Sequence, residues 1–489
     1  MKLFGKNNQE YVVTIGLEVH AQIKANVKLF SHSTSNWNDR PNSNISNLDV
    51  GIPGSIQVLS EENIAPVIRA GLAINGTINE VSYFDRKNYF YPDLPNGYQI
   101  TQFYKPIVEN GYIDIKDENG SDKRIRIERI HIEQDAGKSI HDIDPEKTCL
   151  DYNRAGCGLM EIVSQPDMSS PHEAAEYVKK LRAILKAVNA SDADMEKGSI
   201  RVDVNVSIRK SGDSKLGNRC EIKNLNSIRF LQTAIEFEAK RHLEILESGG
   251  AIEQETRLFN PDKGETRTMR TKENAADYKY FPDPDLPALK IKAEDIEAIK
   301  ENMPELPEAK FRRYCGYGIV EKEARIIADD IDLSFYFDKV VEACDPKQAY
   351  TIVIVELLGR LNKAQISISD SKITPSDIIQ LTEMIANGKI NGKIAKNVLD
   401  IMFENMLNDR IKTPAEVVSE NNLEQVDNTE EIIKVINQLI NENPDKVESY
   451  KHGNQKLFGF FVGQIMKLTD GKANPATVNK VLKDEFDKL

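Results

Sequence analysis

Two runs of strict alternation constrain this chain more than any other feature. In SIRVDVNVSIR, Ile200, Val202, Val204, Val206 and Ile208 point one way, and Arg201, Asp203, Asn205, Ser207 and Arg209 the other. In TIGLEVHAQI, Ile15, Leu17, Val19, Ala21 and Ile23 alternate with Thr14, Gly16, Glu18, His20 and Gln22. A period of two over such a length predicts strands with one buried face. The opposite face then carries charge, and the opening strand sets a carboxylate, Glu18, two residues from an imidazole, His20.

Other segments repeat the habit. RCEIKN sets Glu221 and Lys223 opposite Ile222, GLMEIVS sets Glu161 between Leu159 and Val163, and RIHIEQDAGKS spaces His131, Glu133 and Asp135 by two. One such carboxylate is ordinary on a solvated sheet with cross-strand ion pairs. Five strands that each present one, two of them beside a His, favour a functional face. Carboxylates crowded together repel, and a hard divalent cation with oxygen ligands offsets that repulsion. Mg²⁺ is commonly shared with substrate phosphates, so the pattern suits phosphoryl transfer from a nucleotide.

At 489 residues the chain is too long for one core. Strand patterns separated by turns such as PNSN, IPGS and PDLPNG run to about residue 290, interrupted by two helical inserts. SPHEAAEYVKKLRAILKAV has Ser170 as cap and Pro171 in the first position, and SIRFLQTAIEFEAKRHLEILESGG ends at a Gly pair. Beyond that, TPSDIIQLTEMIANGK, NTEEIIKVINQLINENP (starting at Asn428) and NPATVNKVLKDEF (capped by Asn474) read as helices with short loops. The expected class is α+β: a strand-rich body with mainly antiparallel sheet over 1–292, a helical domain over 293–410, and a helical tail over 411–489.

The net charge of −13 argues against a surface that grips nucleic acid everywhere. From Val447 to Leu489, however, seven Lys face five Asp or Glu, so the tail is locally basic. The five cysteines are scattered without a C-x-x-C pair, which suggests reduced thiols in a cytosol-like compartment and no zinc knuckle. No apolar run approaches a membrane span and no secretory leader is apparent, so a cytoplasmic protein without membrane attachment is expected.

Two motifs fail on inspection. DAGKS resembles the end of a P-loop, but Ile132 stands where Gly is required, so Lys138 is no Walker lysine. RAGCGL resembles a nucleophile elbow, but Ala155 and Leu159 stand at the two Gly positions, which leaves Cys157 as a small turn residue. His172, His242 and His452 are expected on helix surfaces or ends. The stretch YFDRKNYFYPDLPNGYQITQFY gathers aromatics, Tyr89 among them, around Asp85, Arg86 and Lys87, and DYKYFPDPDLP adds a second group from Asp277. Both a core rim and a platform for a base or an RNA end fit this composition.

Taken together, IGLEVHAQI, FDRKNYFYPDLPNGYQI, HIEQDAGKS, EIKNLNSIR, QETRLF and DYKYFPDPDLP resemble the B subunit of the bacterial and organellar aspartyl/glutamyl-tRNA amidotransferases. The tail LFGFFVGQIMKLTDGKANPATVNKVL resembles the C-terminal domain of the same family. The resemblance implies a cradle-like body and an ATP-dependent carbon–nitrogen ligase with glutamine as amido donor. In such enzymes the B subunit phosphorylates the side-chain carboxylate of Glu-tRNA(Gln), and often Asp-tRNA(Asn), with ATP and Mg²⁺. Ammonia from a separate glutaminase subunit then gives the amide, and a small third subunit straps the two larger ones together. The resemblance further implies that Glu18, His20 and Glu133 are metal-binding and catalytic positions, with Asp203 and Glu221 as further acidic ligands. Arg86, Lys87, Tyr89, Lys138, Arg201 and Lys223 are the accompanying candidates for substrate or nucleotide, and Lys456, Lys467 and Lys472 for tRNA.

The chain departs from the family pattern in places. Ser46 and Asp49 occupy positions where many relatives have a Cys pair, so no zinc is expected there. Gly158 replaces a common Pro, and Asn96 replaces a common Lys. Two rival readings stand beside this one: a stand-alone metal-dependent hydrolase using the same face, and a tRNA-binding scaffold with an inert body.

Overall fold

The structure is a computed structural model that describes every residue except 37–39, 145, 272–277, 425–428, 453, 470–472 and 489. Two compact units result, Met1–Ala309 and Lys310–Leu489.

The first unit is organised by one large sheet. Its strands are β1 (Lys2–Phe4), β2 (Glu10–Gln22), β3 (Thr77–Ile78), β4 (Val108–Lys116), β5 (Asp122–Gln134), β6 (Gly158–Ser164), β7 (Ile200–Lys210), β8 (Cys220–Leu225), β9 (Glu255–Asn260) and β10 (Glu265–Thr271). They lie in the order β10-β9-β8-β7-β2-β6-β5-β4-β3, with β1 paired to β2 off this path. Every pairing is antiparallel except β8 with β9, as expected for a mainly antiparallel body. The alternating residues do what their spacing demands. Val13, Ile15, Leu17, Val19, Ala21, Val204 and Val206 are all buried, and they share one core with Tyr177, Val178 and Leu181 of helix Pro171–Ala187 and with Leu231, Ala234 and Ile235 of helix Ile228–Glu247. Both helices are capped: Ser170 accepts from the Glu173 amide, as its sequence predicts, and Ser227 from the Phe230 amide.

Helices take over from Ala293, where the sequence pattern changes. The first of them, Ala293–Glu301, packs Ile296 and Ile299 on the core of the sheet unit. The second unit is entirely helical among the described residues. It contains one core running from Tyr314 to Val418 and another from Ile432 to Phe486. Helix Pro375–Ala386 begins with a capping box between Thr374 and Asp377. Asn474 accepts from the Thr477 amide at 3.4 Å, whereas Asn428 lies outside the described residues.

In the segment before the IPG turn, Asp49 is buried against Lys28. Nζ to Oδ2 is 3.2 Å, both side chains are almost fully buried, and the Ser31 hydroxyl and the Ser46 amide donate to the carboxylate. The RAG turn passes over this pair. Gly156 has φ +80°, and a Cβ there would lie 2.7 Å from Asp49 Oδ1, so only glycine serves. Burial pushes the neighbouring Cys157 thiol up to about 12, which makes it an inert group, as its failed motif predicts.

Candidate functional site

Cross-strand register assembles the polar face. Glu161 of β6 is level with His131 of β5 on one side and with His20 of β2 on the other, and His20 is level with Arg201 of β7. One row across four adjacent strands therefore reads His131, Glu161, His20, Arg201. In the next row Glu18 of β2 is level with Asp203 of β7. Glu133 closes in from β5, two residues beyond His131 and on the same side of that strand.

The contacts are close. Glu161 Oε2 is 3.1 Å from His131 Nε2 and 3.4 Å from His20 Nε2, and Glu133 Oε1 is 3.6 Å from His20 Nε2. Ligand atoms of His20, Glu133 and Glu161 all lie within 4.8 Å of one another. Burial opposes a charged imidazole at His20, but the Glu161 hydrogen bond and the charges of Glu161, Glu133 and Asp203 outweigh it and lift His20 to about 9. Burial would likewise raise Glu161, yet His131 and His20 hold its carboxyl well below the usual range. Glu18 is pushed up, by burial first and then by the charges of Glu161, Glu221 and Asp203. It accepts a hydrogen bond from Asn205 at 3.0 Å.

The remaining sequence candidates divide. Asp203 and Glu221 are joined through Lys223, whose Nζ is 2.5 Å from the first and 2.8 Å from the second. Lys87 lies 4.8 Å from the centroid of Tyr278 and 5.9 Å from that of Tyr89. Although burial opposes its charge, Glu133, Tyr280 and Glu161 raise its pKa, so its ammonium lies within electrostatic reach of the same carboxylates. The aromatic segment is fastened to the sheet by Gln99, which donates to the Gln134 carbonyl at 2.8 Å, and by Gln102, which accepts from the Ile132 amide at 3.0 Å. Tyr89 and Tyr278 meet edge to face, and Phe103 stacks on Tyr280 at 4.0 Å. Phe84 is core, while Phe90, Tyr91 and Tyr104 are exposed.

Arg86 is engaged elsewhere. It ion-pairs with Asp283 at 2.7 Å and Asp285 at 2.8 Å, tying strand Asp85–Asn88 to the second aromatic segment. Lys138 is exposed on a two-stranded ribbon with Cys149–Asp151. Lys456 and Lys467 are exposed on helix Lys456–Leu468, whereas Lys472 and Asp277 lie outside the described residues. His242 corrects an expectation. It is fully buried, with Nε2 3.3 Å from Cys220 Sγ and 3.5 Å from Glu238, because its face of helix Ile228–Glu247 is the one turned to the sheet. Cys220, Glu238 and His242 also have metal-ligand spacing, but Arg241 donates to Cys220 and Arg257 to Glu238, so two guanidiniums already hold the charge there.

Glu161 and His131 are absent from the ligand set that the motifs imply. Their signal was present in the alternation of GLMEIVS and RIHIEQ, and only the pairing of β6 between β2 and β5 gives it meaning.

Residues 13–297 match the family model described as the GatB/GatE catalytic domain, and residues 335–486 match the one described as the GatB domain. The chain is 52% identical over 482 residues to a Rickettsia felis protein, covering 98% of this chain and 99% of that one. It is 52% identical over 488 residues to a Rickettsia typhi protein, covering 100% of both. A Rickettsia bellii protein is 51% identical over 487 residues, covering 99% of this chain and 100% of its own. All three are named as the B subunit of an aspartyl/glutamyl-tRNA(Asn/Gln) amidotransferase.

Proposed function

The chain belongs to the B-subunit family of the aspartyl/glutamyl-tRNA(Asn/Gln) amidotransferases, and from that premise we propose that its polar sheet face activates the side-chain carboxylate of an aminoacyl-tRNA for amidation. The observation that carries this reading is the four-strand row with Glu133 beside it and Lys87 within electrostatic reach. Two carboxylates and an imidazole converge, and the Lys87 ammonium, set against the Tyr278 ring, lies within electrostatic reach of them.

The donor set fits a divalent cation, since Glu133, Glu161 and His20 already bring their ligand atoms together, with Glu18 and Asp203 in the adjoining row, and a cation bound there would take the place of the His20 Nε2 proton. Mg²⁺ held there would offset phosphate charge during transfer from ATP. In the first step an oxygen of the substrate carboxylate bonds to the γ-phosphorus as the bond to the bridging oxygen breaks, and ADP leaves with the electron pair. In the second, ammonia bonds to the acyl carbon, phosphate leaves with its electron pair, and the surplus nitrogen proton passes to a basic group or water. Lys87 attracts the substrate anion, and the aromatic segment walls the site from solvent. The ammonia comes from a glutaminase subunit, with a small third subunit completing the complex. Neither Glu-tRNA(Gln) nor Asp-tRNA(Asn) is singled out by these residues. The exposed Lys456 and Lys467 lie in the locally basic tail and suit tRNA phosphates.

A complex reconstituted with the partner subunits tests this. With His20→Ala or Glu133→Gln it should assemble and hydrolyse glutamine. It should not convert Glu-tRNA(Gln) to Gln-tRNA(Gln), even with free ammonium and excess Mg²⁺. Near-normal amidation in both variants would reduce the face to ordinary surface.

A further inference from the structure

Asp135 follows directly on β5, and its carboxylate is held from several directions. Its amide donates to the Cys157 carbonyl at 2.7 Å, and its own carbonyl accepts from Gly156 at 2.9 Å. One carboxylate oxygen, Oδ2, is 2.7 Å from Arg154 Nε, and Arg154 Nη2 in turn donates to the Gly198 carbonyl at 2.8 Å, just before β7. The other, Oδ1, accepts from Arg201 Nη2 at 3.0 Å. The Asp135 side chain is 7% exposed, whereas that of Arg201 is 45% exposed.

This arrangement exceeds what burying a carboxylate needs. Arg154 alone neutralises Asp135, so the second guanidinium leaves the trio with one net positive charge. That charge sits at the end of the row, level with His20. Burial would raise the Asp135 carboxyl, but Arg201 and Arg154 hold it low, so the anchor stays ionised. A guanidinium has five donors and stays charged at any working pH. One of those donors is spent on Asp135, and much of the group remains open to solvent.

We propose that Arg201 is an arginine finger supplied by the chain itself, and that Asp135, braced by Arg154, is the positioning residue that aims it at the transferring phosphoryl group. The inference rests on the phosphoryl-transfer reading above. In such a transfer negative charge spreads over the equatorial oxygens, and a preformed cation at that point acts on the transition state more than on bound ATP. The open donors of Arg201 suit those oxygens, while the bond to Asp135 removes the rotamer freedom that a long exposed side chain would otherwise lose on reaction.

The test uses the full reconstituted complex with ATP and Glu-tRNA(Gln). Arg201→Ala should lower kcat on the order of a thousandfold or more, as removal of such a finger does. KM for ATP should stay within about threefold, and affinity for ADP with aluminium fluoride should fall in parallel with kcat. Arg201→Lys should recover only a small part of the loss. Asp135→Asn should lower kcat less, and combined with Arg201→Ala it should add nothing, because it acts through Arg201. His20→Ala run in parallel separates the two proposals. A normal His20→Ala complex overturns the phosphoryl-transfer site itself. An inactive His20→Ala complex beside an Arg201→Ala complex with unchanged kcat and unchanged mimic affinity overturns the finger alone. Additive losses in the double variant overturn the positioning role of Asp135. If Asp135→Asn fails to fold, the partly exposed Arg201 variants still decide the finger.

Discussion

Glu161→Gln is the sharpest perturbation of the site, because one oxygen of Glu161 serves two imidazoles, at 3.1 Å and 3.4 Å. Glutamine keeps the size and one acceptor but loses the charge. A hydrogen bond to a charged group contributes about 1.5–3 kcal/mol. Two of them weakened together leave His20 with Glu133 and Asp203 as its main charge partners, so its proton should leave well below about 9. Removing one preorganised charged group from a site of this kind typically costs about a hundredfold in rate, or about 2.7 kcal/mol. Amidation by the reconstituted complex, followed through a labelled aminoacyl group, should therefore fall at least about a hundredfold, with glutamine hydrolysis retained. Glu221→Gln is the internal comparison. Glu221 is two strands away from β2, tied to Lys223 at 2.8 Å and to Thr256 at 2.7 Å. Its substitution should cost less than about tenfold, since it removes charge from outside the row. If Glu161→Gln amidates within about threefold of the unsubstituted complex while His20→Ala is inactive, the row does not act as a unit.

Burial holds His242 down to about 4, so between pH 6.5 and about 4 the unfolded state binds one proton more than the folded. Stability of the sheet unit should fall by about 3 kcal/mol as pH drops through that window, seen as a lower unfolding midpoint at pH 4.5 than at pH 7, and His242→Gln should lose most of that dependence. Asp49→Ala strands a buried ammonium and should cost about 3–5 kcal/mol in a denaturant titration, whereas Lys28→Met with Asp49→Leu should fold nearly as stably as the unsubstituted chain. Replacing Lys456 and Lys467 together by Gln should weaken tRNA binding and flatten its salt dependence by about two charges' worth, leaving amidation at saturating tRNA unchanged. An unchanged salt slope would assign the basic tail another task.

What the sequence determined by itself is local. The period of two in Thr14–Ile23 and Ile200–Arg209 was enough to place a buried face and a polar face, because side-chain direction in a strand follows from backbone geometry alone. Ser170 and Thr374 announced helix starts for a similarly local reason, since a cap bonds an amide within three residues. The long motifs carried the family, and with it Glu18, His20 and Glu133. Tertiary structure alone decided which strands are neighbours. Sequence order puts β2, β5, β6 and β7 far apart, and only the order β7-β2-β6-β5 sets Glu161 between two imidazoles and Arg201 level with His20. It also decided how cations are spent. Arg86 and Lys87 adjoin in the chain, yet Arg86 pairs with Asp283 and Asp285 while Lys87 lies against Tyr278, within electrostatic reach of Glu133 and Glu161. The same holds for His242, whose burial depends on which face of its helix meets the sheet. Pairing order, register and packing arise from contacts between segments distant along the chain, so no local window of residues encodes them.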